Sequence, residues 1–219
     1  IPLMVNQIYQ QHGVYLRSLG DHAHFLFPGW HQMLKAGGMV DGTPENCRKL
    51  MQAGESILVF PGGSREVMRR KGDDYQLFWK SRTGFARLAI EQGYDIIPFA
   101  SVGPNECFDI RLDANDFLKK PWVSKTIQYL KLQKIMRDGD VFLPIAGGLL
   151  GMPVPKPQKF YFSFAERIKV QNFIDHPDSA LQLRIQVEDA VQEQIRVLKQ
   201  LRDYEKSNHW SWLRKKLTE

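Results

Sequence analysis

The chain has 219 residues, of which 43% are hydrophobic and 25% charged, and its formal net charge is +6 with a pI near 9.3. This length and balance are typical of one globular domain, and the positive charge favours an anionic partner: nucleic acid, an acidic membrane surface or a polyanionic cofactor. The two cysteines form no CxxC pair and no run of 18 apolar residues occurs, which excludes a disulfide framework, a zinc site and a transmembrane helix within the chain.

The hydrophobic pattern alternates between helical and strand periods along the chain. Thr43 is a favourable N-cap, Pro44 suits the first helical position, and Gly54 follows the end of the same helix. A strand, a helix and a second strand follow each other between residues 57 and 102, which favours a parallel arrangement. Predicted helices cover residues 3–11, 30–36, 44–53, 83–92 and 178–206, and predicted strands cover residues 14–19, 39–40, 57–60, 96–102 and 160–164.

These elements predict an α/β fold. We expect a single domain over residues 1–219, with a central, mostly parallel mixed sheet flanked by helices. The long amphipathic helix that starts near residue 178 closes this domain.

The most informative motif follows the apolar strand that ends at residue 60. Its sequence is Phe60-Pro61-Gly62-Gly63-Ser64-Arg65-Glu66. Open α/β sheets bind ligands at the carboxyl ends of their strands. Here the glycines allow a ligand to approach the backbone, and the arginine adds a fixed cation. The motif therefore suits an anionic or carbonyl-bearing substrate.

The motif resembles the third sequence block of the lysophospholipid (glycerolipid) acyltransferase superfamily. It is most similar to the Pro-Gly-Gly-x-x-Glu version of the type-2 diacylglycerol acyltransferase and phytyl ester synthase branch. Further matches follow in family order at residues 82–90, 95–106 and 153–155, so the resemblance covers about residues 28 to 170. It implies an acyltransferase of the glycerolipid acyltransferase fold, with acyl-CoA or acyl-ACP as co-substrate and no metal or redox cofactor.

The superfamily's general base is the histidine of a His-x4-Asp motif, whose aspartate orients the histidine. We expect this pair just upstream of Ile1, because in relatives it precedes an apolar helix similar to residues 1–11, and we expect this chain by itself to be inactive. His22 and His24, beside Asp21, are the alternative within the sequence, although nothing nearby completes a triad. The motif is absent from these residues, since the positions five after the six histidines are Arg17, Phe27, Gly29, Ala36, Leu181 and Arg214.

The class of acceptor lipid is inferred from one position, where the family has an arginine and this chain does not. The family's second block ends in an arginine that holds the acceptor's phosphate, and Gly42 or Thr43 occupies that place here. Gly62 also stands where the phospholipid enzymes have glutamate. Without a bidentate cation a phosphorylated acceptor is costly to hold, so we favour a neutral lipid alcohol. A lysophosphatidate acyltransferase and a non-catalytic lipid or acyl-CoA binding module remain the alternatives.

The resemblance implies that the third block binds substrate. We expect backbone N–H groups of Gly62, Gly63 and Ser64 to face the thioester oxygen or a cofactor phosphate. Arg65 has two open roles: it binds phosphate or forms a structural ion pair with Glu66. Several basic residues lie close to this block in the sequence. We expect them either to contact the phosphates of acyl-CoA or to form a solvated face. They are Arg69, Arg70, Lys71 and Arg82.

Residues 103–159 depart from the simple alternation and are predicted to be an elaboration that carries substrate contacts. Within it, residues 141–155 carry no charge and are rich in Gly and Pro, which favours a buried loop, a wall of an acyl-chain channel or a surface that dips into lipid. Residues 124–137 predict a helix for core packing or for a membrane interface. The tail, residues 207–219, combines aromatic and basic residues and fits an interfacial anchor, a nucleic-acid contact or disordered surface.

Other classes lack their defining residues. Glu66 stands where the nucleophile elbow of a serine hydrolase needs glycine, and the loop lacks the Gly-Lys-Ser/Thr ending of a P-loop. Nucleic-acid binding would need basic residues interleaved with exposed aromatics, and the tail is the one candidate for such a surface. We therefore predict peripheral membrane association on the cytoplasmic, reducing side, with acyl-CoA or acyl-ACP and a lipid alcohol as partners and no nucleic acid.

Overall fold

A computed structural model describes residues 2–20, 30–67, 69–113, 115–116, 145–152, 154–174 and 177–218. His22, His24 and the predicted helix over residues 124–137 lie outside the described residues. In chain order the elements are α1 (Pro2–His12), β1 (Leu16–Gly20), α2 (Trp30–Ala36), β2 (Val40–Asp41), α3 (Pro44–Gln52), β3 (Ser56–Leu58), α4 (Ser64–Val67), α5 (Gly84–Gln92), β4 (Phe99–Val102), β5 (Asp109–Leu112), β6 (Ile145–Gly147), β7 (Tyr161–Phe164) and α6 (Ser179–Thr218).

These elements belong to two compact units. The first unit comprises Ile1–Gly63, Phe78–Pro98 and Glu166–Asp189, and the second comprises Ser64–Leu77, Phe99–Ala165 and Ala190–Glu219. Helices and a parallel sheet occur together, so the predicted α/β class is confirmed.

The first unit contains a three-stranded parallel sheet in the order β2-β1-β3. Helix α3 begins where the sequence predicts, because the Thr43 hydroxyl accepts a hydrogen bond from the Asn46 N–H at 3.2 Å. It packs Cys47 and Met51 against Leu88 of α5 in one apolar cluster. The capping and packing of α3 thereby fix the helix beside the strands that lead to the third block.

The second unit contains two antiparallel strand pairs, β4 with β7 and β5 with β6. Its apolar core joins both strands of the first pair to α6, through Ala100, Val102, Tyr161 and Leu198. The predicted parallel arrangement of residues 96–102 is wrong, since β4 pairs antiparallel with β7. Strand register depends on contacts far apart in sequence, which a local pattern does not contain.

Two predicted strands are shorter than expected for local reasons. Residues 57–60 form a strand only up to Leu58, because the chain turns at Pro61. Residues 96–102 form β4 only from Phe99, since Pro98 has no N–H for a ladder, and Ile96 makes an isolated antiparallel bridge to Ile168.

Helix α6 starts one residue after the predicted position and continues to Thr218, so residues 207–218 are helical. The predicted apolar stripe is buried at Leu183, Val187, Val191 and Leu198 and becomes exposed at Leu201. Within the described part of the chain, no helix has the length and the apolar character needed to cross a membrane.

Candidate functional site

A glycine turn follows β3 in the first unit. The Gly63 N–H donates to the Phe60 carbonyl at 2.9 Å and closes the turn, so this N–H points to the chain's own backbone. Pro61 suits the second position of such a turn, and Gly63 has a left-handed φ of +61°. A Cβ at Gly63 would meet nothing closer than 3.5 Å. Glycine is therefore required for the backbone conformation, not for space.

Arg82 holds this turn from the residues that precede α5. Its Nη1 donates to the Pro61 carbonyl at 3.3 Å and to the Gly62 carbonyl, while its backbone N–H donates to the Trp79 carbonyl at 3.0 Å. The sequence places Arg82 among the expected phosphate contacts, and the structure adds a contact to the turn that charge patterning did not indicate. A guanidinium has five N–H donors, so two bonds to the turn leave further donors for a ligand.

Arg65 lies in α4 of the second unit and forms a nearly buried ion pair. Its Nη1 is 2.6 Å from Oδ2 of Asp73, and the two side chains are 11% and 13% exposed. The same carboxylate accepts the Arg70 N–H at 2.7 Å. Sequence reasoning considered Glu66 as the ion-pair partner of Arg65 and missed Asp73. The sequence feature that could have indicated Asp73 is Gly-Asp-Asp at residues 72–74. It places a turn residue and two carboxylates directly after the basic run.

The basic run after α4 is matched by acidic and amide partners in the second unit. Exposed ion pairs contribute only about 0–1 kcal/mol each, so an incoming phosphate could exchange with them at little cost. The expected role as phosphate contacts stays a prediction. The contacts are Arg69 with Asp74 and with the Asn105 carbonyl (3.2 Å), Arg70 with Asn115 Oδ1 (2.8 Å), and Lys71 with Asp116 (2.6 Å).

Asp113 holds the backbone of this basic run. It is 2% exposed, its Oδ2 accepts the Lys71 N–H at 2.8 Å, and its Oδ1 accepts the Asp116 N–H at 3.1 Å. Burial alone would raise the pKa of this carboxyl, but the backbone N–H donors outweigh burial and lower the pKa. The charged form is therefore the one that the fold stabilises.

A polar network organises the Pro-Asn-Glu segment at residues 104–106. The Tyr75 hydroxyl donates to Glu106 Oε2 at 2.6 Å and accepts the Gly103 N–H at 3.1 Å. Arg202 of α6 pairs with the other oxygen of Glu106, and Lys199 Nζ lies 5.6 Å from the centre of the Tyr75 ring. Burial and the bond to Glu106 raise the pKa of Tyr75. The network is thus a structural clamp: it holds residues 103–106, which belong to the segment 95–106 that matches the family.

The two cysteines lack the features of a nucleophile. Cys47 and Cys107 are buried and free, and burial raises the pKa of both thiols. Over the ranges that the structure describes, no three His, Cys, Asp or Glu side chains are grouped to hold a metal ion.

The chain belongs to the diacylglycerol acyltransferase family, whose sequence model matches residues 4–182. Phytyl ester synthase 2, chloroplastic, from Arabidopsis thaliana is 31% identical over 229 residues, covering 94% of this chain and 31% of the plant protein. The Mus musculus protein named DGAT1/2-independent enzyme synthesizing storage lipids is 29% identical over 179 residues, covering 77% of this chain and 50% of the mouse protein.

Diacylglycerol O-acyltransferase 2 from Dictyostelium discoideum is 28% identical over 99 residues, covering 44% of this chain and 30% of that protein. These relatives confirm the predicted resemblance to the type-2 diacylglycerol acyltransferase and phytyl ester synthase branch. The chain spans half or less of the length of each of these three relatives. No solved structure matches it significantly.

Proposed function

We propose that the complete protein transfers a fatty acyl group from acyl-CoA, or from acyl-ACP, to the hydroxyl group of a neutral lipid alcohol such as a diacylglycerol or a long-chain alcohol. Family membership over residues 4–182 supports acyl transfer. Two of the relatives are named for phytyl esters and for diacylglycerol, and neither acceptor carries a phosphate.

The acceptor class rests on what occupies the place of the phosphate-binding arginine. The Gly42 N–H donates to the Gly20 carbonyl at 2.9 Å, and a Cβ on Gly42 would come within 2.9 Å of that same oxygen. Thr43 caps α3 through its hydroxyl, a contact worth about 1 kcal/mol. An arginine at either position would displace a structural contact, which supports an acceptor without a phosphate.

The third block is proposed to bind the acyl donor near its thioester. The turn held by Arg82 is preformed, which lowers the entropic cost of binding. Phe60 to Glu66 are the proposed substrate-binding residues, and Arg69, Arg70, Lys71 and Arg82 are the proposed contacts to the phosphates of acyl-CoA.

The proposed chemistry is direct transfer. The histidine of a His-x4-Asp pair, proposed to precede Ile1, takes the proton of the acceptor hydroxyl, and the oxygen attacks the thioester carbonyl. The C–S bond breaks, and the CoA thiolate leaves and is protonated. Donors aimed at the carbonyl oxygen would stabilise its developing charge.

An assay of the complete protein with radiolabelled acyl-CoA tests this proposal. Diacylglycerol, a long-chain alcohol and lysophosphatidate are compared as acceptors, and we expect labelled neutral lipid from the first two. Alanine in place of the upstream histidine should abolish product. A preference for lysophosphatidate would refute the neutral acceptor, and acyl-CoA binding without any turnover would favour the non-catalytic module, for which the absence of His-x4-Asp within residues 1–219 argues.

Peripheral association with a membrane on the cytoplasmic, reducing side is proposed as the setting. The net charge of +6 suits an anionic lipid surface, and two free, buried thiols suit a reducing compartment. Protection of the complete protein from protease added outside sealed organelles would contradict this sidedness.

A further inference from the structure

An unusually apolar surface begins at β6 in the second unit and continues beyond it. We call residues 145–152 together with residue 154 the apolar loop. The interpretation of this segment as a buried loop is wrong for the residues described, since only Gly147 and Gly148 are buried. Leu150 is 89% exposed, and Leu112, which pairs with Ile145 across the strands, extends the surface. The exposed apolar residues of the loop are Ile145, Leu149, Leu150, Met152 and Val154.

Four backbone N–H groups of the apolar loop donate to carbonyl groups of the same loop. Backbone N–H and C=O groups without partners are costly in an apolar medium, whereas a loop that pairs them internally can enter one. The bonds run from Gly148 N to Met152 O (2.7 Å), Leu149 N to Val154 O (2.7 Å), Gly151 N to Gly148 O (3.1 Å) and Met152 N to Leu149 O (3.0 Å).

The conformation at the tip is one that exposes a leucine. Leu150 has φ of +52°, in the left-handed region that residues other than glycine rarely adopt. This backbone gains no burial for the side chain, since Leu150 is the most exposed of the large apolar residues that the structure describes. A strained turn that displays leucine to water indicates a partner that covers it.

A cation lies at the base of the loop. A Cβ on Gly151 would come within 2.1 Å of Arg111 Nη2, and one on Gly147 within 2.8 Å of Arg111 Nε, so the two glycines leave room for the guanidinium. Arg111 forms no ion pair with any residue that the structure describes. An apolar tip with an arginine at its base matches the order of acyl chains and anionic headgroups in a lipid surface.

We propose that the apolar loop inserts into the surface of a lipid membrane, with Leu150 at the acyl chains and Arg111 at the headgroups. The inference rests on the proposed function, because a neutral lipid acceptor is dissolved in that membrane. It assigns the peripheral membrane contact to one defined segment.

Vesicle flotation without substrate tests the insertion, so its outcome does not depend on whether acyl transfer is detected. The probes are vesicles of phosphatidylcholine with phosphatidylserine and vesicles of phosphatidylcholine alone. We expect Leu150→Ser to weaken binding by about tenfold or more, from the lost burial of one leucine. Leu149→Ser, at 43% exposure, is matched by Leu201→Ser on α6, at 44%. Only the loop variant should lose affinity, with both variants retaining the wild-type circular dichroism spectrum.

Two further measurements separate the parts of the proposal. Arg111→Gln should weaken binding by about fivefold on vesicles with phosphatidylserine and hardly at all on phosphatidylcholine. An L150C variant labelled with an environment-sensitive dye should shift its emission to the blue on vesicles, whereas L201C should not. Cys47 and Cys107 are buried, which keeps the label at the introduced site.

Equal vesicle affinity of the loop variants and their control would overturn the proposal. A change from dimer to monomer on Leu150→Ser, with vesicle binding retained, would also overturn it and make the loop a contact between copies of the chain. A labelled L150C variant whose emission is unchanged on vesicles would do the same.

Discussion

Tyr75→Phe removes one oxygen atom and tests whether the clamp on residues 103–106 stabilises the protein. The hydroxyl donates to the Glu106 carboxylate at 2.6 Å and accepts the Gly103 N–H at 3.1 Å. A hydrogen bond to a charged group contributes about 1.5–3 kcal/mol, and the Gly103 N–H would lose its partner as well. Glu106 keeps Arg202 and the ring is half-buried, so we expect a loss of about 2–3 kcal/mol in the free energy of unfolding.

Urea unfolding followed by circular dichroism measures this loss, with an unchanged m-value as the check on the transition. Tyr204→Phe is the matched control, because Tyr204 is 66% exposed and its replacement should cost less than about 0.5 kcal/mol. Equal effects of the two variants would refute the reasoning.

The same variant makes a pH prediction. Burial and the bond to Glu106 raise the pKa of Tyr75 in the folded protein. The protonated Tyr75 hydroxyl therefore stabilises the fold fully below about pH 10, the pKa of tyrosine in the unfolded chain. This stabilisation is lost as the pH rises toward the higher pKa of Tyr75 in the folded protein. The stability difference between wild type and Tyr75→Phe should narrow above that pH. A constant difference would show that the pKa of Tyr75 is the same in the folded and unfolded states, which would contradict the raised pKa.

Three further predictions concern the third block and its neighbours. Arg82→Lys should lower the rate of acyl transfer by the complete protein about tenfold, because lysine cannot make both hydrogen bonds to the turn. The control Arg87→Lys, on the exposed face of α5, should keep the wild-type rate. Equal rates for the two variants would contradict a role for the contact between Arg82 and the turn. Gly63→Ala should cost about 1 kcal/mol in thermal unfolding and Gly63→Asn less, since φ is +61°; identical losses would exclude the backbone explanation. Asp113→Asn should lower the free energy of unfolding by about 1–3 kcal/mol at neutral pH. Because the pKa of Asp113 is lowered in the folded protein, the difference between the variant and wild type in urea unfolding should shrink as the pH falls below about 4. A difference that does not shrink in acid would contradict a charged Asp113.

Local signals predicted the ends of α3 and α5 well. Thr43, Pro44 and Gly54 bound α3 as expected, and Gly93 ends α5 with φ of +66°. These signals act within one turn of the chain, because a cap needs only the nearest N–H groups and a C-terminal glycine only its own φ. The third block was likewise recognisable, since its proline and glycines determine the turn that the structure shows.

Contacts between distant residues were not predictable in this way. Glu106 and Arg202 are 96 residues apart in the chain. Arg65 forms an ion pair with Asp73, a partner that the sequence did not suggest. The strand predicted at residues 160–164 shows the same limit. Its side chains alternate between the two faces of the sheet, and the alternation does not say which face is buried. The structure buries Tyr161 and leaves Phe164 half-exposed, since the core lies on the side of Leu198.

By itself, the sequence determined the ends of α3 and α5, the turn after β3 and the family, because each depends on residues that are neighbours in the chain. Only the tertiary structure decided which charges are paired, how β4 is paired and which leucines face water. The physical reason is that burial and electrostatic pairing depend on which groups come together in space, and a pattern of hydrophobicity along the chain is compatible with many such arrangements.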